Sequence, residues 1–323
     1  MKKHIAILAG AVVVLAVGGT FLWGFAGGYG LHVLLHRDLK WPEVSTSDVR
    51  LSRAMRLALQ PVPPLVHSGE LRWTQAAPGL QVAELTVLLA DGEAIDAFEL
   101  VRIDPKAYVF SAHVQSARKW TIFDWQRQLP AAAVIVNGSF FAPGRGPDTP
   151  LISDGHYLGP PVYDATAGAF TADDAGAAVV DLRDGSGWQK AFQGRRNAMV
   201  AYPLLIGTDG QTHVTRPGRW LANRSFVAED QDGFIVIGST REAFFSLDRE
   251  AAFLLASPLR LKVALNLDGG PVACQSVRAG RIHRVHIARW EAQVDGDRAR
   301  LLDWAVGESD MPIVLAATLR TGN

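Results

Sequence analysis

The chain has 323 residues, with 32 basic and 32 acidic side chains that cancel to a formal net charge of zero. A nucleic-acid binder carries a basic excess to track phosphates, so this balance excludes that class of partner. The hydrophobic share of 48% is ample for a sizeable core, and the single cysteine, Cys274, rules out an intramolecular disulfide to hold it.

Taken in chain order, the first feature is Ile5–Ala26, an uncharged stretch preceded by Lys2-Lys3. It is long enough to cross a bilayer, whereas the apolar part of a cleaved signal usually runs to about 7–15 residues. Residues 1–30 therefore read as a membrane segment, a signal-anchor in preference to a signal peptide cut near Ala26. With the lysines on the cytoplasmic side, the C-terminal part lies outside the cytoplasm, periplasmic or extracellular. Residues 31–66 read as a stalk or linker. Arg37–Gln60 is partly helical, Leu51, Met55, Leu57 and Leu59 are irregularly spaced, and Pro61–Pro64 makes a stiff stop.

Residues 67–323 form the main body of the chain, and strands dominate it. Leu80–Leu89 and Phe98–Val109 alternate apolar with polar, and Asp104-Pro105 punctuates the second. Trp120–Gln128 reads as a short helix. Ala142–Pro161 is a Pro/Gly loop long enough to be a lid or binding loop. Phe234–Gly238 is a buried strand entered through Asp230–Gly233. Ser246 suits the N-cap of a helix to about Leu255, and Leu261–Leu267 is the next strand. Ile282–Ile287 and Ile313–Ala317 complete the series. The expected fold is α+β: a mixed β-sheet packed with helices, a single exported domain behind an N-terminal membrane segment. The β-helix-β passage from Phe234 to Leu267 is the place where two strands could run parallel.

Two apolar runs stop at polar clusters. Val134–Phe141 (VIVNGSFF) ends in Asn137-Gly138-Ser139, and Ala264–Gly270 (ALNLDGG) ends in Asn266 and Asp268-Gly269-Gly270. A carboxylate or amide at the end of a buried strand is rigid and half desolvated, which suits a site better than a core. Other polar features carry less. Asp154-Gly155 and Asp209-Gly210 read as turns. His283 and His286 fall on opposite faces of a strand. Cys274 reads as inert filler. Asp230–Gly233 lacks the terminal glutamate of a calcium loop.

In this order the segments resemble the phosphodiester glycosidase family. Asn137–Phe141 (NGSFF) is similar to its Asn-Gly-x-Phe-Phe, and Tyr202–Gly210 (YPLLIGTDG) to its Pro-Leu-Leu segment. Asn223-Arg224-Ser225 is similar to its Asn-x-Arg-Thr or Arg-Thr-Ala segment, and LNLDGG completes the set over about Leu80–Ala316. Where the family has Thr-Ala this chain has Ser225-Phe226, and Pro271–Cys274 replaces further glycine and serine. The resemblance implies a hydrolase that breaks the bond between a sugar's anomeric carbon and a phosphate oxygen. Because the leaving phosphomonoester is a weak base, the transition state needs a cation on the phosphate and negative charge near the oxocarbenium centre.

On that reading Asp268, Arg224 and Asn137 are catalytic. Arg224 grips phosphate, Asp268 acts as nucleophile, stabiliser or base, and Asn137 binds a sugar hydroxyl or a phosphate oxygen. Ser139, Phe140, Phe141, Ser225, Asn266, Gly269 and Gly270 bind substrate, the glycines by letting backbone N–H groups approach an anion. One of Phe140 and Phe141 points into the core. The partners implied are a sugar-phosphate or phosphoglycan substrate of the cell envelope and the membrane, with no nucleic acid. Neither a cofactor nor a metal is implied. A non-catalytic module binding phosphoglycans and a phosphodiesterase releasing sugar-1-phosphate stay open as alternatives.

Overall fold

Short apolar runs bounded by turn residues give strands, and strands need partners. The computed structural model describes residues 43–45, 48–49, 51–165, 167–214, 218, 220–295, 298–302 and 309–320, within a single unit, Glu43–Asn323. The expected membrane segment lies outside the described residues, among which no helix is long and apolar enough to cross a membrane.

Among the described residues four sheets contain 22 strands, numbered β1–β22 in chain order. The largest has eight strands: β13 (Leu204–Ile206), β17 (Leu261–Asn266), β15 (Ser225–Asp230), β16 (Ile235–Thr240), β5 (Ala94–Ile103), β4 (Leu80–Leu89) and β2 (Val66–Ser68), with β3 (Thr74–Ala77) also on β4. A second sheet orders β19 (Ile282–His286), β18 (Gln275–Ala279), β7 (Ala132–Asn137), β22 (Ile313–Leu319) and β6 (Tyr108–Val114). A third orders β11 (Gly176–Asp181), β10 (Gly168–Asp173), β12 (Asn197–Ala201), β8 (Leu151–Ser153) and β9 (His156–Leu158). The smallest orders β1 (Glu43–Ser45), β21 (Arg298–Leu302), β20 (Glu291–Asp295) and β14 (Trp220–Ala222). The helices among the described residues are short: α1 (Arg53–Ala58), α2 (Ile122–Gln128), α3 (Trp188–Phe192) and α4 (Leu247–Ala256).

The eight-stranded sheet is the middle layer. Leu100, Phe226, Ala228, Val236 and Ala264 pack on one face with α1, α4 and the four-stranded sheet. Val101, Val227, Ile235, Ile237 and Leu265 pack on the other face with the two five-stranded sheets. Burial on both faces is why these strands read as continuous apolar runs. The expected mixed sheet is corrected, because every pairing among the described strands is antiparallel. β16 and β17 do run the same way across α4, but β15 lies between them and pairs antiparallel with both. The α+β expectation also shrinks, to a mostly β fold with few helices.

Two further expectations change. The stalk or linker assigned to residues 31–66 is, over its described part, integral to the body. Met55 is completely buried, and Leu51, Ala54, Ala58 and Leu59 join the same core. Ser52 caps α1, accepting from the Met55 N–H at 3.2 Å. Six residues are fewer than two turns, too short for a 3.6-residue period to show in sequence. The long loop is partly regular: it contains the β8–β9 hairpin, closed by Asp154-Gly155 with φ of 49° and 81°. Two successive positive φ values make the type I′ turn that matches strand twist.

Met55→Ala should lower unfolding free energy by about 2–5 kcal/mol through the cavity it leaves. A urea titration measures this, and an unchanged midpoint would return the segment to the role of a linker.

Candidate active site

The two polar strand ends meet at a corner between sheets. β7 ends at Asn137 in a five-stranded sheet, and β17 ends at Asn266 in the eight-stranded one. After β17 the chain crosses through Asp268 and a 3₁₀ turn, Gly270–Val272, to β18, which pairs with β7. Asp268 therefore sits where the chain changes sheets. Its carbonyl accepts from Asn137 Nδ2 at 2.6 Å and from Ser225 Oγ at 3.1 Å. Its N–H donates to Gly138 O at 3.1 Å. Gly138 has to be glycine, because a Cβ there would stand 2.5 Å from Ile313 Cγ2 on β22. Asp268 itself is half-buried.

The amide orientations follow from their partners. Asn137 Nδ2 faces the Asp268 carbonyl, and Asn266 Nδ2 faces the Tyr202 carbonyl at 2.8 Å. A carbonyl only accepts, so each NH₂ must point at it and each Oδ1 must point away. Both oxygens are buried and neither has a partner. Buried acceptors without donors are costly, and a native fold carries few of them. Asn266 lies two residues before Asp268, at the end of β17.

Arg224 precedes β15 and is buried, 5% exposed. Its Nε donates to Phe245 O at 3.1 Å and its Nη2 to Trp220 O at 2.6 Å. The remaining Nη1 lies beside Gly269, where a Cβ would be 3.4 Å away. Burial lowers the Arg224 pKa, opposed by the negative charges of Glu250, Glu291, Asp248 and Asp268 in that order. Asp268 and Arg224 thus share one field, but two of the three guanidinium nitrogens hold backbone. Asn223 is a wholly structural neighbour that sequence reasoning left out of the site. Its Oδ1 accepts from the Arg289 and Trp290 N–H groups at 3.0 and 2.8 Å, and its Nδ2 donates to Thr240 O at 2.9 Å.

The other expected residues divide. Ser139 is buried and bonded to Thr149 Oγ1 at 3.0 Å, which donates to Val200 O at 2.7 Å, so it ties its loop to the third sheet. Phe141 is the inward ring of its pair, packed against the core. Phe140 is half-buried and stacks on Tyr202, centroids 4.2 Å apart at 18°, next to Asn266. Ser225 holds the Asp268 carbonyl, as above. Gly270 has φ of 74° and lies against Glu291, and its N–H donates to Asn223 O at 2.8 Å. That N–H is not available to an anion, which corrects the role expected of it. Asp230–Gly233 is a turn, as expected: Asp230 Oδ1 accepts from the Asp232 and Phe234 N–H groups. Among the described residues no group of three or more His, Cys, Asp or Glu could hold a metal ion.

Sequence reasoning missed two carboxyls behind Arg224. Glu250 of α4 is fully buried and both its oxygens lack a hydrogen-bond partner. Burial raises its pKa to about 8, opposed by Arg224. Asp96 of β5 is raised to about 7, also by burial, although it accepts from the Ala97 and Glu242 N–H groups at 2.7 and 2.9 Å. The signal was in the pattern: Glu250 falls on the apolar stripe of Leu247, Ala251 and Leu254 at helical spacing.

Comparison with known proteins follows the motifs. Residues 131–289 match the model of a family described as phosphodiester glycosidase, a narrower span than Leu80–Ala316. The chain is similar in structure to the catalytic domain of zebrafish N-acetylglucosamine-1-phosphodiester alpha-N-acetylglucosaminidase, auto-inhibited by its pro-peptide. There the identity is 14%, the TM-score 0.51, and coverage 89% of this chain and 91% of that one. A hypothetical protein from Synechocystis is similar at 15% identity and a TM-score of 0.49, covering 80% of this chain and 69% of that one. At such identity the likeness is one of fold. No curated protein matches the chain.

Glu250 and Asp96 hold protons in the folded state that unfolded carboxyls release near pH 4. Their stabilisation is therefore complete below about pH 4 and is lost as the pH rises through about 7 and 8. Thermal melts between pH 5 and pH 8.5 should show a falling midpoint that Glu250→Gln flattens. Parallel curves for the two proteins would show that Glu250 ionises normally.

Proposed function

With residues 131–289 similar to phosphodiester glycosidases by family model as well as by motif, we propose that the protein is a hydrolase of the glycosidic C–O bond in sugar-1-phosphate diesters. The products are a sugar and a phosphomonoester. The observation that carries this reading is the pair of buried, unpartnered amide oxygens of Asn137 and Asn266 at the Asp268 corner. An acceptor there takes a hydroxyl and repels an ionised phosphate oxygen, so this side of the corner receives the sugar. Phe140 and Tyr202 give the sugar an aromatic face. Asp268 supplies negative charge beside the anomeric carbon, and Arg224 Nη1 supplies positive charge toward the phosphate.

The substrates are phosphodiester-linked glycans or glycolipids of a cell envelope, with the domain outside the cytoplasm and Ile5–Ala26 as its anchor in the membrane. The motif resemblance and the apolar, lysine-preceded segment support this placement. One observation favours a second reading, that of a phosphoglycan-binding module without turnover. Arg224 commits Nε and Nη2 to backbone carbonyls and keeps one terminal nitrogen for an anion.

Incubation with a panel of sugar-1-phosphate diesters, followed by mass identification of products, tests the bond. Free sugar with a phosphomonoester is expected, and sugar-1-phosphate would move cleavage to the P–O bond. Binding without turnover would select the second reading. Asp268→Asn should lower turnover by roughly 10³-fold or more while leaving the melt intact. A stable variant with ordinary activity removes Asp268 from the mechanism. Arg224→Lys should cost phosphodiesters about tenfold or more relative to aryl glycosides, since an ammonium cannot keep both carbonyl bonds and the anion contact. Equal losses on both substrate types would make Arg224 structural.

A further inference from the structure

A cleft lies away from the Asn137–Asp268 corner. Its volume is about 840 Å³, and Trp73, Gln81, Arg102, Asp230, Asp232 and Arg260 are among its lining residues. β15 begins at Ser225, which touches the corner, and ends at Asp230 in the cleft. Five residues of strand separate the two by about 17 Å. The volume falls within the roughly 300–1,000 Å³ typical of small-molecule sites.

The cleft's polar groups are fixed and mutually neutralised. Arg102 donates from Nε to Asp230 Oδ2 at 2.6 Å, from Nη2 to Asp232 Oδ2 at 2.9 Å and from Nη1 to Gln81 Oε1 at 3.2 Å. Its guanidinium lies 3.7 Å over the Phe234 ring. Of five N–H donors, two remain for a ligand. Arg260 stands on backbone with φ of 52°, its Nη1 3.8 Å from Asp232 Oδ1, and its side chain is 68% exposed. Glu70, also in the lining, is paired with Arg72 at 2.7 Å.

We propose that this cleft is a second binding site, for a neutral saccharide chain. Two guanidiniums against two carboxylates leave no net charge to draw a phosphate, and Arg102 already occupies the position a cation would take between Asp230 and Asp232. A neutral polyol fits what is left. Trp73, half-buried against the core, contributes apolar lining for the C–H side of a pyranose, Arg102 and Arg260 offer donors, and Asp232 Oδ1 offers an acceptor to vicinal hydroxyls. The division of labour is then explicit: the corner takes the phosphodiester end, and the cleft holds neutral sugars of the same or a neighbouring chain. That use rests on the glycan reading above, but the binding itself does not.

Isothermal titration of the protein with maltohexaose, mannohexaose and chitohexaose tests it. At least one should bind, and Trp73→Ala and Arg260→Ala should each weaken it about tenfold or more. Arg260 is mostly exposed, so Arg260→Ala keeps the test valid if Trp73→Ala fails to fold. Asp268→Asn should leave the binding unchanged, which separates this site from the corner even if the protein turns over no diester. The proposal is overturned if none of the three binds, if both variants bind as the wild type does, or if Asp268→Asn abolishes binding.

Discussion

The Asn137 amide holds the Asp268 carbonyl across 131 residues of sequence, and the corner depends on that contact. A buried hydrogen bond contributes only about 1 kcal/mol net, but a buried carbonyl left without its donor costs about 1–3 kcal/mol. The asymmetry matters here, because Ser225 on β15 also donates to that carbonyl while Gly138, just after β7, accepts from the Asp268 N–H. Two separate segments, Asn137-Gly138 and Ser225, are held to the N–H and the carbonyl of Asp268, so the backbone that carries its carboxylate has little freedom. A rigid carboxylate at a sheet junction needs no lid to position it.

Behind the corner the interior is unusually polar for a β fold. Arg224, Glu250 and Asp96 are all buried, and the two carboxyls have oxygens without partners. Keeping Glu250 protonated avoids the larger cost of a buried anion, while Arg224 is stabilised by two backbone carbonyls. Asn223 adds a further latch, joining the strand before β15 to Arg289 and Trp290. The polar groups of this region divide between those bonded to backbone on every side and those with an open valence. The second kind includes the Glu250 oxygens and Asp96 Oδ2 behind the corner and Asn137 Oδ1 and Asn266 Oδ1 at it.

Much of this was legible in the amino-acid order. The runs leading to Asn137 and Asp268 were recognisable as strands because glycine follows each, and α4 begins just after Ser246, which holds the N-cap position without a side-chain cap bond. The meeting of those two ends was not legible, since nothing local tells β7 and β17 that they share a corner. Strand direction was misjudged for a similar reason: β15, earlier in the chain, slips between β16 and β17. Arg224 looked like a free phosphate clamp because sequence cannot show a guanidinium bonding to the carbonyls of Trp220 and Phe245. Glu250 was visible as a charged residue on an apolar stripe, and it was passed over because the stripe was read as core. The aromatic pair at the corner crosses from Phe140 to Tyr202, and each was legible only as part of its own segment.

The position of β22 sets when this corner can exist. It lies between β6 and β7 and is hydrogen-bonded to both, and its first residue, Ile313, accepts from Gly138. Until Ile313–Leu319 has left the ribosome, β7 lacks one of its two neighbours and Asn137 has no fixed direction. The eight-stranded layer, complete by Asn266, can form earlier during synthesis. Pairings this distant in sequence are slow to close, so the nascent chain carries an open sheet edge for much of its translation. The carboxylate corner is then complete only once β22 has paired with β7.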